Sequence, residues 1–270
     1  MIELCAFSDE AGKSLKEQIA ALKRNGINKT ELRSVDGVNI LKISVEDAKE
    51  IERELSENGI SVFSIGSPLG KVDINSDLDL YLENECRHIF TLANIFKTDK
   101  VRMFSFYKAY DKEERVFEYI GKMCRLAAEY GVSLYHENEK DIYGDTKERI
   151  EKLFLNVPEL KMVYDPANFI LCGETAENTL PLVRSAGYLH IKDAIMKSGE
   201  IVPAGEGDGK IRELIKNVSG DLTATLEPHL KVFDGYASVD AHELKNKFSF
   251  KDNNEAFDAA VNAFKKIINS

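Results

Sequence analysis

Four apolar runs in the second half of the chain each stop at side chains that can bind a divalent cation. They are residues 133–138 (Ser-Leu-Tyr-His-Glu-Asn), 162–165 (Met-Val-Tyr-Asp), 188–193 (Tyr-Leu-His-Ile-Lys-Asp) and 223–229 (Thr-Ala-Thr-Leu-Glu-Pro-His). Glu137, Asp165, His190 and Glu227 stand at or next to the ends of these runs. Three carboxylates and one imidazole form an oxygen-rich donor set suited to one divalent ion, Mn²⁺, Mg²⁺, Co²⁺ or Zn²⁺. A single acid at the end of a strand more often caps the next helix or pairs with a lysine. Four in succession on four strand-like runs make a common ion the better explanation. Around a dication, three carboxylates and a neutral histidine leave a formal charge of −1. Such a site accepts neighbouring oxygens of a polyol while a carbonyl is polarised.

Residues so far apart must be brought together by the fold. The spacing predicts strands at residues 2–7, 30–33, 60–65, 100–106, 132–137, 161–165, 188–191 and 222–226. Between and after them it predicts helices at 14–25, 45–58, 78–96, 111–130, 145–155, 175–185, 209–218 and 255–268, with Gly26, Gly59 and Gly131 as stops. Eight strand–helix alternations in 270 residues point to an α/β chain folded as a (β/α)₈ TIM barrel, one domain over residues 1–270. The ends of parallel strands meet on one rim, which would gather the four ligands. An open doubly wound sheet is the competing architecture, and no glycine-rich dinucleotide fingerprint follows the first strand.

A net charge of −10 and a pI near 5.2 argue against a nucleic-acid partner. No apolar run approaches the ~18 residues needed to span a membrane. The first residues enter a strand without the basic and apolar regions of a signal peptide. Cys5, Cys86, Cys124 and Cys172 lack paired metal-type spacing and read as reduced, buried residues. A cytoplasmic location is the expectation. The connections at 66–76 and 229–254 are longer than a barrel needs, and the second contains Tyr236, Phe248 and Phe250. A pocket cover, a plain surface loop and a contact with a second copy of the chain, in a homo-oligomer, all fit them.

His136-Glu137-Asn138, Asp165-Pro166-Ala167-Asn168, His190-Ile191-Lys192-Asp193 and Leu226-Glu227-Pro228-His229 resemble the motifs of the xylose isomerase-like superfamily. That group includes sugar phosphate isomerases and epimerases, ketose 3-epimerases, inosose dehydratases and endonuclease IV. The resemblance implies metal ligands at Glu137, Asp165, His190 and Glu227, with Glu137 and Glu227 also acting as acid and base. It implies a small sugar or sugar phosphate as substrate, isomerised or epimerised through proton abstraction next to a carbonyl and an enediolate. A dehydratase of the inosose or dehydroshikimate type is the alternative on the same barrel. Glu31, Asn168, Lys192 and His229 are the expected substrate-binding residues. His136 reads as a packing residue, and Arg102 as either a pocket group or a structural ion pair.

The chain departs from the ketose 3-epimerase pattern at three places. Asn168 stands where a substrate-binding histidine is expected, Met196 in place of an arginine and Tyr143 in place of a glutamate. Endonuclease IV needs further histidines on the second and third strands, and this chain has five histidines in all. The run 204–209 (Ala-Gly-Glu-Gly-Asp-Gly) could cradle an anion on its amides, but its own acids favour a plain tight loop.

Overall fold

Helix boundaries follow local chemistry. Ser14 and Glu17 form a reciprocal capping box at the start of helix Leu15–Arg24, and Ser44 caps Val45–Glu57 through the amide of Asp47. Helices Leu15–Arg24, Val45–Glu57 and Glu113–Glu129 are each followed, one residue beyond the cap, by Gly26, Gly59 and Gly131 at positive φ. The computed structural model describes residues 1–218, 220–233, 244–245 and 248–270. Tyr236, in the last long connection, and His242 lie outside the described residues.

Eight parallel strands close into a barrel: β1 Ile2–Ala6, β2 Lys29–Leu32, β3 Ser61–Ile65, β4 Lys100–Met103, β5 Ser133–Glu137, β6 Lys161–Tyr164, β7 Ala186–Ile191 and β8 Leu222–Leu226. Each strand pairs with its neighbours in sequence, and β8 closes on β1 with Ile2 opposite Leu222 and Ala6 opposite Leu226. The chain is thus a (β/α)₈ TIM barrel. Most buried apolar side chains fill the layer between strands and helices. Inside the barrel, Tyr135, Val163 and Tyr188 pack together with Phe63 against them. Alternation along β5 and β7 then raises Glu137 and His190 one layer above this floor.

Four local features differ from the sequence expectation. The predicted helix at 78–96 contains a π-helical segment, Leu82–Cys86. The stretch 175–185 is a short turn of helix, Ala176–Thr179, followed by the 3-10 helix Leu180–Ser185, with Pro181 at its start. An unpredicted helix, Pro166–Leu171, follows β6 directly, with Asp165 as its cap. Strand β4 ends at Met103, because the amide of Phe104 turns to the carbonyl of Leu69 at 2.7 Å. That contact ties the connection after β3 to the rim. Gly70 within it has φ +86, and a Cβ there would meet the Phe104 oxygen at 2.0 Å. Among the described residues no helix is long and apolar enough to cross a membrane.

Candidate metal centre

Each ligand candidate is delivered by a strand end. Glu137 closes β5 and His190 lies in β7. Glu227 follows β8, its amide still bonded to the carbonyl of Ile191 at 3.2 Å. Asp165 follows β6 and is clamped to β5 by Asn138, which donates to its carbonyl at 2.8 Å and accepts from its amide at 2.9 Å. One atom from each of these four residues lies within 4.8 Å of all the others, and all four residues are buried. The fold therefore brings together the full set expected from the sequence.

His190 is the hub. Its Nδ1 lies 3.0 Å from Glu137 Oε1 and 3.3 Å from Glu227 Oε2, while its Nε2 lies 3.1 Å from Glu31 Oε2. The second oxygens of Glu137 and Glu227 are each held by an arginine. Arg102 donates to Glu137 Oε2 at 3.0 Å, and Arg33 to Glu227 Oε1 at 2.8 Å. Burial would raise the pKa of both glutamates, but His190 and Arg102 hold Glu137 below the ordinary range, as Lys192 and His190 do for Glu227. Burial would discharge His190, yet Glu137 and Glu31 on either side keep its pKa well above the usual value. Asp165 is pushed up by burial despite Lys192. Without an added cation, the carboxylates are balanced by His190 together with Arg33, Arg102 and Lys192.

Those features fit a metal ion. Asp165 Oδ2 is fully buried and accepts no hydrogen bond, although Lys192 lies 3.1 Å from it. Buried polar atoms left in this condition are costly unless something else satisfies them. The donor set, three carboxylates and one imidazole, matches divalent ions that take oxygen and nitrogen.

The remaining predicted residues take distinct places. Lys192 points inward, 3.1 Å from Asp165 Oδ2 and 3.5 Å from Glu227 Oε2. Asn168 donates to Glu137 Oε1 at 3.1 Å and to the Asn138 carbonyl at 2.9 Å. Both oxygens of Glu31, expected on the substrate, are engaged by the protein: Tyr188 donates to Oε1 at 2.9 Å, and Oε2 faces His190 Nε2. Glu31 thus stands behind the imidazole, remote from the side turned to the other carboxylates, because β2 delivers it at that level. His229 adopts a left-handed φ of +46, and its Nε2 lies 3.4 Å from Glu10 Oε1 and 3.6 Å from Glu227 Oε1. His136 packs outside the ring of ligands, its Nε2 2.9 Å from Ser105 Oγ.

Arg33, Asp9 and Glu10 join the site without having been expected there from sequence. Arg33 grips Asp9 with Nε and an amino group, both at 2.9 Å, and reaches Glu10 at 3.3 Å. Its place two residues after Glu31, on the same face of β2, is the one signal the sequence offers. The glycine run holds a further surprise. The amides of Gly205, Gly207 and Gly209 do cradle an anion, and it is the carboxylate of Asp193, at 2.8, 3.1 and 3.0 Å. A Cβ on Gly207 would meet that carboxylate at 2.3 Å.

A closed (β/α)₈ barrel with a buried carboxylate–histidine quartet at the strand ends defines the class. Residues 19–231 match the xylose isomerase-like TIM barrel family, and the chain belongs to it. No curated protein matches it in sequence. Among solved structures, it resembles the probable 3-DHS dehydratase AsbF from Bacillus anthracis, with 19% identity over 98% of this chain and 99% of that one and a TM-score of 0.72. It also resembles the IOLI protein with a binding zinc atom, at 13% identity, 98% of both chains and a TM-score of 0.76. An L-ribulose 3-epimerase aligns at 14% identity over 100% of this chain and 95% of that one, with a TM-score of 0.72. At these identities the likeness establishes the fold, which is shared by epimerases and a probable dehydratase alike.

Proposed function

We propose that the protein is a divalent-metal-dependent isomerase or epimerase of a small sugar or sugar phosphate, working by proton abstraction next to a carbonyl through an enediolate. The observation that carries this reading is the convergence of Glu137, Asp165, His190 and Glu227 in one buried cluster. These four residues would hold the ion, and a divalent ion bound there supplies polarisation of the substrate carbonyl. The rest is the work of the chain itself. Glu137 and Glu227 come from different sides of the rim, and both are held ionised, so each is ready to accept a proton. One removes the proton α to the carbonyl. The other glutamate, after taking up a proton from solvent, delivers it to the opposite face and gives epimerisation, while return by the first glutamate to the neighbouring carbon on the same face gives isomerisation. Lys192, kept protonated by Asp165 and Glu227 against the cost of burial, donates to a substrate oxygen that gains negative charge. Asn168 steadies Glu137, Glu31 orients His190, and His229 braces Glu227 beside the substrate.

A dehydratase is the second reading, favoured by the residues that depart from the ketose 3-epimerase pattern. Tyr143 is buried with its hydroxyl on Glu113 at 2.9 Å, and Met196 is on the surface, so neither offers a substitute contact for a ketose. Elimination of water would begin with the same proton abstraction. Incubating the metal-loaded protein with a panel of ketoses, sugar phosphates and inososes in D₂O separates the two. Deuterium next to the carbonyl without loss of water supports the isomerase or epimerase. A new enone absorbance supports the dehydratase, and absence of exchange on every substrate overturns both.

A further inference from the structure

One oxygen of Glu227 faces the quartet, and the other faces a second group of ligand type. Oε2 lies 3.3 Å from His190 Nδ1, whereas Oε1 lies 3.6 Å from His229 Nε2. Glu10 Oε1 stands on that second side too, 3.4 Å from the same His229 nitrogen. Glu10, Glu227 and His229 are all buried, and one ligand atom from each lies within 4.8 Å of the others. Two carboxylates and an imidazole are donors of the kind that take a divalent ion. With an oxygen turned to each group, Glu227 has the form of a carboxylate that bridges two ions, which stand about 3.5–4 Å apart in two-metal sites.

The second group already holds a cation of the chain's own. Arg33 bonds Glu227 Oε1 at 2.8 Å and Glu10 Oε1 at 3.3 Å, the same two oxygens that face His229. Its guanidinium is held in place from elsewhere as well. Asp9 accepts from Nε and Nη2, both at 2.9 Å, and Ser34 donates to Asp9 Oδ2 at 2.7 Å. The guanidinium carbon lies 4.2 Å from the centre of the Phe7 ring and 4.8 Å from that of Phe233. An arginine keeps its charge at every pH the protein meets, so it cannot make way for another cation by losing a proton.

We infer that Arg33 fills a second cation site, made by Glu10, Glu227 and His229, and thereby holds the centre to one divalent ion. The inference rests on the reading that the quartet binds that ion, and it narrows the chemistry of the same site. A pair of ions clamps both the attacking and the leaving oxygen of a displacement. With a guanidinium fixed at the second position that clamp is missing, and proton transfer by the two glutamates is the chemistry left to the site. A second dication brought against Arg33 in this buried setting would meet strong repulsion.

The test measures Mn²⁺ stoichiometry by equilibrium dialysis, and the coupling between bound ions by electron paramagnetic resonance, on the full chain. The wild type is expected to hold one ion with the spectrum of an isolated Mn²⁺, even in large excess of the metal. Arg33→Ala removes the charge and opens the space, so it should take a second ion at least about a hundredfold more tightly than the wild type does, with an exchange-coupled spectrum. Adding His229→Ala to Arg33→Ala should return the count to one; a second ion that persists there lies elsewhere and overturns the inference. If Arg33→Ala does not fold, Arg33→Gln takes its place, since it removes the charge and keeps more of the side chain. Two coupled ions in the wild type overturn the inference without any variant. One ion in wild type and variant alike overturns the inference alone and leaves the proposed function standing. No bound Mn²⁺ in either overturns the proposed function, and the inference with it.

Discussion

The two halves of the barrel rim are built from opposite materials. Strands β5 to β8 deliver Glu137, Asp165, His190 and Glu227, an excess of buried negative charge focused on one point. Strands β2 and β4 deliver Arg33 and Arg102, and the connection after β3 adds Lys71. Neither half is favourable alone, since an isolated buried charge costs several kcal/mol and only a partner offsets it. The two arginines each lock the outer oxygen of one glutamate, which leaves the inner oxygens turned to His190. In the proposed function the ligand half holds the chemistry, while the arginines of the other half fix the geometry of its two glutamates.

The largest effect is expected from breaking the ligand half. Glu227→Gln keeps shape and removes the proton acceptor, so deuterium exchange into substrate should fall by about 10²–10⁴-fold. Circular dichroism should show the barrel retained. Exchange at the wild-type rate would take Glu227 out of the acid–base role and leave ligation alone to explain it.

Breaking the cationic half should register first in stability. Arg33→Met strips partners from Asp9, Glu10 and Glu227 at once, and loss of one member of a buried ion-pair network costs about 3–5 kcal/mol. Urea unfolding of the metal-free protein measures it. Arg53→Met is the contrast, because Arg53 is exposed and pairs with Glu50 and Glu57 along its own helix; little or no change in stability is expected there. Equal effects of the two substitutions would mean that the buried network is not coupled to folding.

Glu10 sharpens the contrast through pH. Burial lifts its pKa to about 8 in spite of Arg33. The folded state therefore keeps a proton that the unfolded chain releases above its ordinary value near 4.5. This contribution to stability is complete below pH 4.5 and is lost as pH rises through 8, with a slope of up to about 1.4 kcal/mol per pH unit. Glu10→Gln has no such proton to lose, so its stability relative to wild type should rise between pH 5 and 8 in the metal-free protein. Parallel curves for the two proteins would show Glu10 to be ionised in the folded state.

The two halves also differ in how far they can be read from sequence. The ligand half is legible because a parallel barrel converts a repeated local pattern, an apolar run ending in Glu, Asp or His, into one place in space. The fold is legible for a related reason: capping serines and terminal glycines mark helices locally, as Ser14 and Gly26 do. The cationic half is marked more faintly, by Arg102 inside its strand and Arg33 two residues after Glu31. Arg33 meets Glu227 across 194 positions, and nothing near either residue announces the other. The glycine run 204–209 advertises an anion cradle, but its occupant, Asp193, is chosen by the tertiary fold. Helix Pro166–Leu171, absent from the expected elements, does carry a local signal, an Asp cap followed by Pro at the first helical position. At Asp165 capping leaves room for the expected ligation: Oδ1 takes the amide of Asn168 at 2.9 Å, and Oδ2 is left without a hydrogen bond.

The smallest effect tests an acidic bridge between the halves. Glu31 belongs to β2 yet faces His190 on β7, and Tyr188 donates to its other oxygen at 2.9 Å. Tyr188 sits in the aromatic floor, 5.2 Å from Phe63 and 5.3 Å from Tyr135 between ring centres, so its hydroxyl is held in place by packing. Tyr188→Phe preserves that packing and removes the hydroxyl's hydrogen bonds to Glu31 and, at 3.3 Å, to Ser64, each worth about 1 kcal/mol. The loss falls on Glu31, which then holds His190 less firmly in the orientation that turns Nδ1 toward the glutamates. Mn²⁺ affinity should weaken about fivefold, read by titration, while the urea midpoint moves little. A drop in stability with unchanged Mn²⁺ affinity would make Glu31 and Tyr188 part of the floor alone, and the link between the two halves would then run through the arginines and the Glu10–His229 contact.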